Sequence, residues 1–235
     1  MPKKHSPKLA VFDLDHTVLS IDSEEYWSQF LFKKKVVDQT YLDRIKAYYR
    51  DYENGTLNIH EYQAYFNQPL LNTPLEKILS LRAKYLNKIK KAIHPRIHKR
   101  VKHFRRNDFH ILLITATNSF LAQPIAEKVG IPNLICTQLK TLPDGTLTNQ
   151  IEGTPAFKEG KIELLHQWLS AQGITFTETW AYSDSHNDIP LLQWAQKPVA
   201  AYPDPILRKH ALQNGWKIIE DAPPKEKAPA STPRI

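Results

Sequence analysis

Leu9-Ala10-Val11-Phe12-Asp13-Leu14-Asp15-His16-Thr17 is the stretch that sets the architecture. Four consecutive apolar residues closed by an acidic one are the pattern of a parallel strand buried on both faces and opening into a loop. Asp13 and Asp15 then stand beyond the strand's carboxyl end, where open parallel sheets bind their ligands. A solvated acidic loop would have the same composition, but carboxylates set against a buried strand usually have a task.

Phe109 to Thr115 is a second run of this kind, and the texture between the two is helical. Asp22 and Glu25 have capping-box spacing ahead of Tyr26, Trp27, Phe30 and Leu31. A helix is predicted from Thr40 to Asp51, stopped by Asn54-Gly55, and another toward Lys91 opens at Thr73-Pro74-Leu75-Glu76, a capping box with proline at the first helical position. The block is too long and too patterned for a loop and reads as an inserted all-helical cap.

From Pro95 onward strands and helices alternate. Ile97, Val101 and Phe104 fall at helical spacing. Then come the strand to Thr115, a helix from Ser119 to Val129, a strand from Leu134 to Thr137, and a hairpin signalled by Asp144-Gly145. A helix from Gly160 to Ala171 precedes a strand from Thr179 to Tyr182. A short helix after Asp188, a strand around Val199, a helix after Pro205 and a strand from Trp216 to Ile219 complete the pattern. Such alternation predicts an α/β fold: a Rossmann-like parallel sheet with helices on both faces. The expected division is a discontinuous core, 1–20 and 95–220, a helical cap, 21–94, and a disordered Pro/Lys/Ala-rich tail, 221–235.

The 235 residues are 41% hydrophobic and 24% charged, a soluble globular composition. The net charge of +8 favours anionic partners without choosing among nucleic acid, anionic lipid and phosphorylated metabolites. Lys33-Lys34-Lys35 and Lys88 to Lys91 read as solvated helix faces, and no basic-aromatic nucleic-acid motif is recognisable. Cys136, in an apolar run, reads as a small buried hydrophobe and suits a reducing compartment. Asp13 and Asp15 interrupt what would be a signal-peptide core, and no stretch approaches the ~20 apolar residues that span a bilayer. A cytoplasmic location without membrane attachment is expected.

The informative residues fall at four strand or loop ends: Asp13-x-Asp15-x-Thr17, Thr115, Lys158 with Lys161, and Asp184 with Asp188. An Asp-x-Asp-x-Thr match alone is weak, arising by chance in roughly a few per cent of chains this long. After the first apolar strand, with the other three following in order, it becomes specific. The order resembles the haloacid dehalogenase superfamily, in particular its phosphoserine-phosphatase-like branch, over residues 8 to 220.

That resemblance implies a Mg²⁺-dependent phosphatase acting on a small phosphorylated metabolite. Asp13 would be the nucleophile that forms an aspartyl-phosphate, and Asp15 the general acid and base. The metal would be held by Asp13, the main-chain carbonyl of Asp15, and Asp184, with Asp188 orienting metal-bound water. Thr115 would hold phosphoryl oxygens, and a lysine would offset the charge there. Lys161 is favoured for that position and Lys158 is the reserve. His16 and His186 fall at variable positions of the pattern and are not expected to bind metal.

Asp22 lies where phosphoserine phosphatases carry a carboxylate that contacts the substrate amine, and the helix-cap reading explains it equally well. The family's arginine for the substrate carboxylate has no clear counterpart; Arg44 and Arg50 are candidates by location alone. Phosphoserine is therefore one option among amino-alcohol phosphates, histidinol phosphate being another. A phosphotransferase would use the same residues, with an acceptor hydroxyl in place of water. A basic nucleic-acid-binding protein is the non-enzymatic alternative. Dehalogenase chemistry would leave Asp15 and Asp184 idle, and no cap lysine for phosphonatase chemistry is identifiable.

Overall fold

The computed structural model describes residues 6–220, so the expected tail at 221–235 lies outside the described residues. The first run forms β1 (Lys8–Phe12) and the second β2 (Phe109–Asn118). With β3 (Leu134–Thr137), β6 (Glu178–Ser183), β7 (Lys197–Ala201) and β8 (Lys217–Ile219) they form one parallel sheet, ordered β3-β2-β1-β6-β7-β8. The hairpin around Asp144-Gly145 is β4 (Leu139–Thr141) and β5 (Leu147–Ile151), where Gly145 takes φ +85°, a conformation that strains any residue with a Cβ.

Side chains alternate across the sheet. Ala10, Phe12, Leu113 and Tyr182 face one layer, with Ile97, Val101 and Phe104 of α6 (Pro95–Arg106) and Leu121 and Ile125 of α7 (Ser119–Val129). Leu9, Val11, Leu112 and Ala181 face the other, with Leu165 of α8 (Glu159–Gln172), Leu191 of α9 (Ile189–Trp194) and Leu207 of α10 (Pro205–Gln213). The rings of Phe12 and Tyr182 stack at 4.6 Å across paired strands, a contact that contributes about 0.5–1.5 kcal/mol beyond its buried area. Cys136 is buried as expected, and burial pushes its thiol up to about 12.

Across residues 21–94 the chain is helical, but with five α-helices where the periodicity predicts three. They are α1 (Ser23–Lys33), α2 (Gln39–Glu53), α3 (Ile59–Phe66), α4 (Gln68–Asn72) and α5 (Leu75–Ile89). The start of α3 was readable: Asn58 precedes Glu61 at capping-box spacing, and its Oδ1 accepts from the amides of His60 and Glu61. The expected capping box at Thr73 is not formed. Pro74 keeps an extended ψ of 135°, so α5 begins at Leu75 with no side-chain cap. Trp27, Tyr62 and Ile89 of this block share one continuous apolar cluster with Phe12 and Leu113 of the sheet. Among the described residues no helix is long and apolar enough to cross a membrane.

Candidate active site

Because the strands are parallel, their carboxyl ends open on one side, and loops distant in sequence meet there. The Asp13 amide donates to the Tyr182 carbonyl at 2.9 Å, continuing the β1–β6 ladder and fixing where the Asp13 side chain begins. Lys161 enters from the first turn of α8. Gly160 makes this possible: a Cβ there would meet the Pro155 carbonyl oxygen at 2.1 Å, so any other residue would push the helix start away. Lys161 Nζ donates to Asp13 Oδ1 and to Asp188 Oδ2, both at 2.7 Å. Asp188 Oδ2 also accepts from Ser183 Oγ at 2.7 Å, and Asp184 Oδ1 accepts from Thr17 Oγ1 at 3.0 Å.

Asp13, Lys161 and Asp188 are each at most 6% exposed, so their charges interact with little screening by water. Burial, opposed by Lys161, pushes Asp13 up to about 7. Asp184 is held well above the usual carboxylate range by burial and by repulsion from Asp13 and Asp188. Burial would lower Lys161, but Asp13 and Asp188 together hold its ammonium above its ordinary value. One ammonium thus stands against three carboxylates, and that unbalanced negative charge is what a hard cation would neutralise. Among the described residues no three His, Cys, Asp or Glu side chains converge into a metal cage. A Mg²⁺ site needs only one or two carboxylates with carbonyl, water and phosphate oxygens, so the carboxylates of Asp13 and Asp184 and the Asp15 carbonyl fit such an ion.

Asp15 is held apart from Lys161. Its Oδ1 accepts the Ser23 amide at 2.7 Å and its Oδ2 the Thr117 hydroxyl at 2.6 Å. Burial, reinforced by the charge of Asp22, pushes it up to about 6, so it can hold a proton near neutrality. Asp22 caps α1 through the Glu25 amide at 2.7 Å and accepts the Tyr49 hydroxyl at 2.6 Å. Thr115 is buried within β2, not at its end, because the strand continues to Asn118 past an irregularity in the β2–β3 register. Its Oγ1 accepts the Thr117 amide at 3.1 Å.

The structure separates the two lysines. Lys158, at φ +50°, directs Nζ to the Gly55 carbonyl at 2.7 Å, bridging to the helical block and not to Asp13. Tyr52 makes a second bridge, its hydroxyl donating to Ser185 Oγ at 2.9 Å. His16 is exposed, and His186 Nδ1 lies 2.8 Å from Asp204 Oδ2. Arg44 lies over the Tyr48 ring with Nη2 on its hydroxyl, and both Arg44 and Arg50 are exposed.

Sequence reasoning missed Ser23, Thr117, Ser183, Tyr49 and Tyr52, which carry no motif spacing of their own. It also missed Glu24, 6% exposed, whose carboxyl burial pushes up to about 8 against hydrogen bonds from Gln63, Tyr62 and Asn118. A carboxyl raised on folding leaves the native state binding a proton that the unfolded chain has lost, so its stabilisation fades as pH rises through the folded value. Stability of the metal-free protein is therefore expected to fall from about pH 4.5 to about pH 8 through Glu24 by on the order of a few kcal/mol. Glu24→Gln should flatten that part of the slope in urea denaturation at pH 5 and pH 8. An unchanged slope would refute the assignment.

The profile of the haloacid dehalogenase-like hydrolase family matches residues 10–193, and the chain belongs to that family. It is an enzyme of the phosphatase type within it, a phosphoric monoester hydrolase. A histidinol-phosphatase of Neisseria meningitidis serogroup C is 38% identical over 216 residues, covering 90% of this chain and 97% of the relative. A solved Bordetella pertussis protein of unknown function superposes with TM-score 0.84 at 33% identity, covering 92% of this chain and 99% of that one. A substrate-bound phosphoserine phosphatase shares the fold, with TM-score 0.69 at 21% identity over 92% and 94% of the two chains.

Proposed function

We propose that this chain hydrolyses a small amino-alcohol phosphate through covalent catalysis by Asp13. The observation that carries this reading is the buried Asp13 carboxylate at 2.7 Å from the Lys161 ammonium, which is itself anchored by Asp188. An Asp13 oxygen attacks phosphorus, the bond from phosphorus to the alcohol oxygen breaks, and Asp15 gives its proton to the departing alcohol. Asp15 then takes a proton from water as the water oxygen attacks the same phosphorus. Inorganic phosphate leaves and the Asp13 carboxylate is regenerated. Lys161 and the Thr115 hydroxyl offset charge on the transferring group. Asp13, the Asp15 carbonyl and Asp184 would hold a Mg²⁺, which would supply neutralisation of the phosphate dianion and of the surplus carboxylate charge. The helical block between β1 and β2 serves as a cap over the site, bridged to the sheet side by Tyr52 and Lys158.

The substrate reading rests on the cap side. Asp22 is an acidic, half-buried group that raises Asp15 and is held by Tyr49, which suits a cationic amine. Arg44 lies over the Tyr48 ring and Arg50 is exposed, so neither forms a buried carboxylate clamp. This favours an amine-bearing ester without a carboxylate, and the name of the Neisseria relative points the same way. The test is phosphate release with Mg²⁺ from histidinol phosphate, phosphoserine and an aryl phosphate. Histidinol phosphate is expected to have the highest kcat/KM. Asp22→Asn should raise its KM about tenfold with little change for the aryl ester, as expected for loss of one charge-assisted contact. Preference for phosphoserine would overturn the substrate assignment.

A further inference from the structure

We propose that Glu24 is a positioning residue for the proton transfer at Asp15, closing a ring of contacts that holds the two donors of that carboxylate in place. The inference rests on the reading of Asp15 as the general acid and base. Asp15 is gripped by the Ser23 amide and the Thr117 hydroxyl, and these come from different elements, the start of α1 and the end of β2. The residue after Ser23 is Glu24, and the residue after Thr117 is Asn118. Glu24 Oε1 accepts the Asn118 amide at 3.1 Å and the Asn118 side-chain Nδ2 at 2.9 Å. The path from Asp15 through Ser23, Glu24, Asn118 and Thr117 therefore returns to Asp15. A hydroxyl–hydroxyl contact of 3.3 Å between Ser23 and Thr117 braces it across the middle.

The ring is anchored from outside. Glu24 Oε2 accepts the Tyr62 hydroxyl at 2.8 Å, and Gln63 Nε2 reaches Oε1 at 3.1 Å, both from α3. Asn118 Nδ2 also lies within 3.3 Å of Gln63 Oε1 and Asn67 Oδ1. Glu24, Gln63, Asn67, Thr117 and Asn118 are all at most 6% exposed, so water offers no replacement for a lost partner. An acidic residue in the first turn of a helix is ordinarily a solvated partner of the helix dipole. Here the side chain turns inward and ties the helical block to the strand that presents Thr115 and Thr117.

A misplaced Asp15 has a distinctive signature. A leaving alkoxide of high pKa needs its proton from Asp15, whereas an aryl oxide leaves without much help. A purely structural defect slows both esters alike. The experiment compares kcat/KM, which reports the steps up to departure of the alcohol and excludes the later hydrolysis common to all esters, for an alkyl and an aryl phosphate in the wild type, Glu24→Ala, Glu24→Asp, Glu24→Gln and Asp15→Asn, with Mg²⁺ throughout. Glu24→Ala is expected to lower the alkyl-to-aryl ratio of kcat/KM at least about tenfold, within the range of a general-acid contribution. Glu24→Gln, which keeps an acceptor oxygen for Asn118 at the same reach, should restore the ratio to within about threefold of wild type. If Glu24→Ala does not fold, Glu24→Asp decides, because its shorter side chain cannot reach Asn118 and Tyr62 together. An equal loss on both esters, or no loss, in the deciding variant overturns the proposal. Asp15→Asn separates the two levels of inference: if it also slows both esters equally, the acid–base reading of Asp15 falls with the proposal. If it acts selectively while the Glu24 variants do not, only the role of Glu24 falls.

Discussion

Asp13→Asn is expected to abolish phosphate release while leaving the protein folded. The amide is nearly isosteric, but its nitrogen and neutral oxygen cannot displace an alcohol from phosphorus, so kcat should fall at least about a thousandfold on every ester. The fold should tolerate the change. Burial pushes the Asp13 carboxyl up to about 7, so ionising it inside the protein is unfavourable, and removing it also removes repulsion on Asp184. Lys161 keeps Asp188 as a partner at 2.7 Å. The thermal midpoint at pH 8 without metal should therefore match or exceed that of the wild type. Steady-state phosphate release and a melting curve on the same preparation check both halves. Turnover within about tenfold of wild type would remove Asp13 as the nucleophile, because other substitutions of catalytic nucleophiles cost orders of magnitude more.

Lys161→Met should damage activity and stability together, and this distinguishes Lys161 from Lys158. Its ammonium neutralises Asp13 and Asp188 at once, with a side chain 5% exposed. Methionine fills the volume and leaves two buried carboxylates facing each other. Removing one partner of a buried ion pair costs about 3–5 kcal/mol, and losing a preorganised charge at the transferring group costs about a hundred- to a thousandfold in kcat. The sign with pH follows from Asp13. Its raised carboxyl takes up a proton as pH falls below about 7, so the destabilisation should be largest at pH 8 and shrink toward pH 5. Urea denaturation at the two values reads this. Lys158→Met is the contrast: it loses one part-buried hydrogen bond to the Gly55 carbonyl, away from Asp13, and should leave kcat within about threefold. Equal kinetic losses in the two variants would overturn the assignment of Lys161.

Much of this arrangement could be read before any coordinates. Leu9 to Phe12 and Phe109 to Thr115 announced buried parallel strands because both faces of such strands are covered and alternation disappears. The position of Asp13 beyond β1 was legible too, but the strand order, with β1 between β2 and β6, was decided only by the tertiary structure. The helices α3 and α4 were less legible. Gln68-Pro69-Leu70-Leu71-Asn72 is a single turn and a half of helix with too few positions to show a period, and α3 was signalled only at its Asn58 cap. Thr73 misled because a capping spacing in one dimension does not say whether the following proline has entered the helix.

The site divides along the same line. Asp13, Asp15, Asp184 and Asp188 were named from order along the chain, because residues beyond the carboxyl ends of neighbouring parallel strands converge whatever the loops between them do, whereas Thr115, named in the same way, lies inside β2. The choice between Lys161 and Lys158 could not be made that way. The two are neighbours on one α8 approach, and only the φ of +50° at Lys158 and the close pass of Gly160 over Pro155 send one ammonium to Asp13 and the other to Gly55. Glu24 was invisible for a related reason. Its partners Tyr62, Gln63 and Asn118 lie 38, 39 and 94 residues away. Local composition reports secondary structure and strand-end chemistry, which act over a few residues. The direction of a buried polar side chain is set by whichever distant groups can satisfy it, and only folding brings those within hydrogen-bond range.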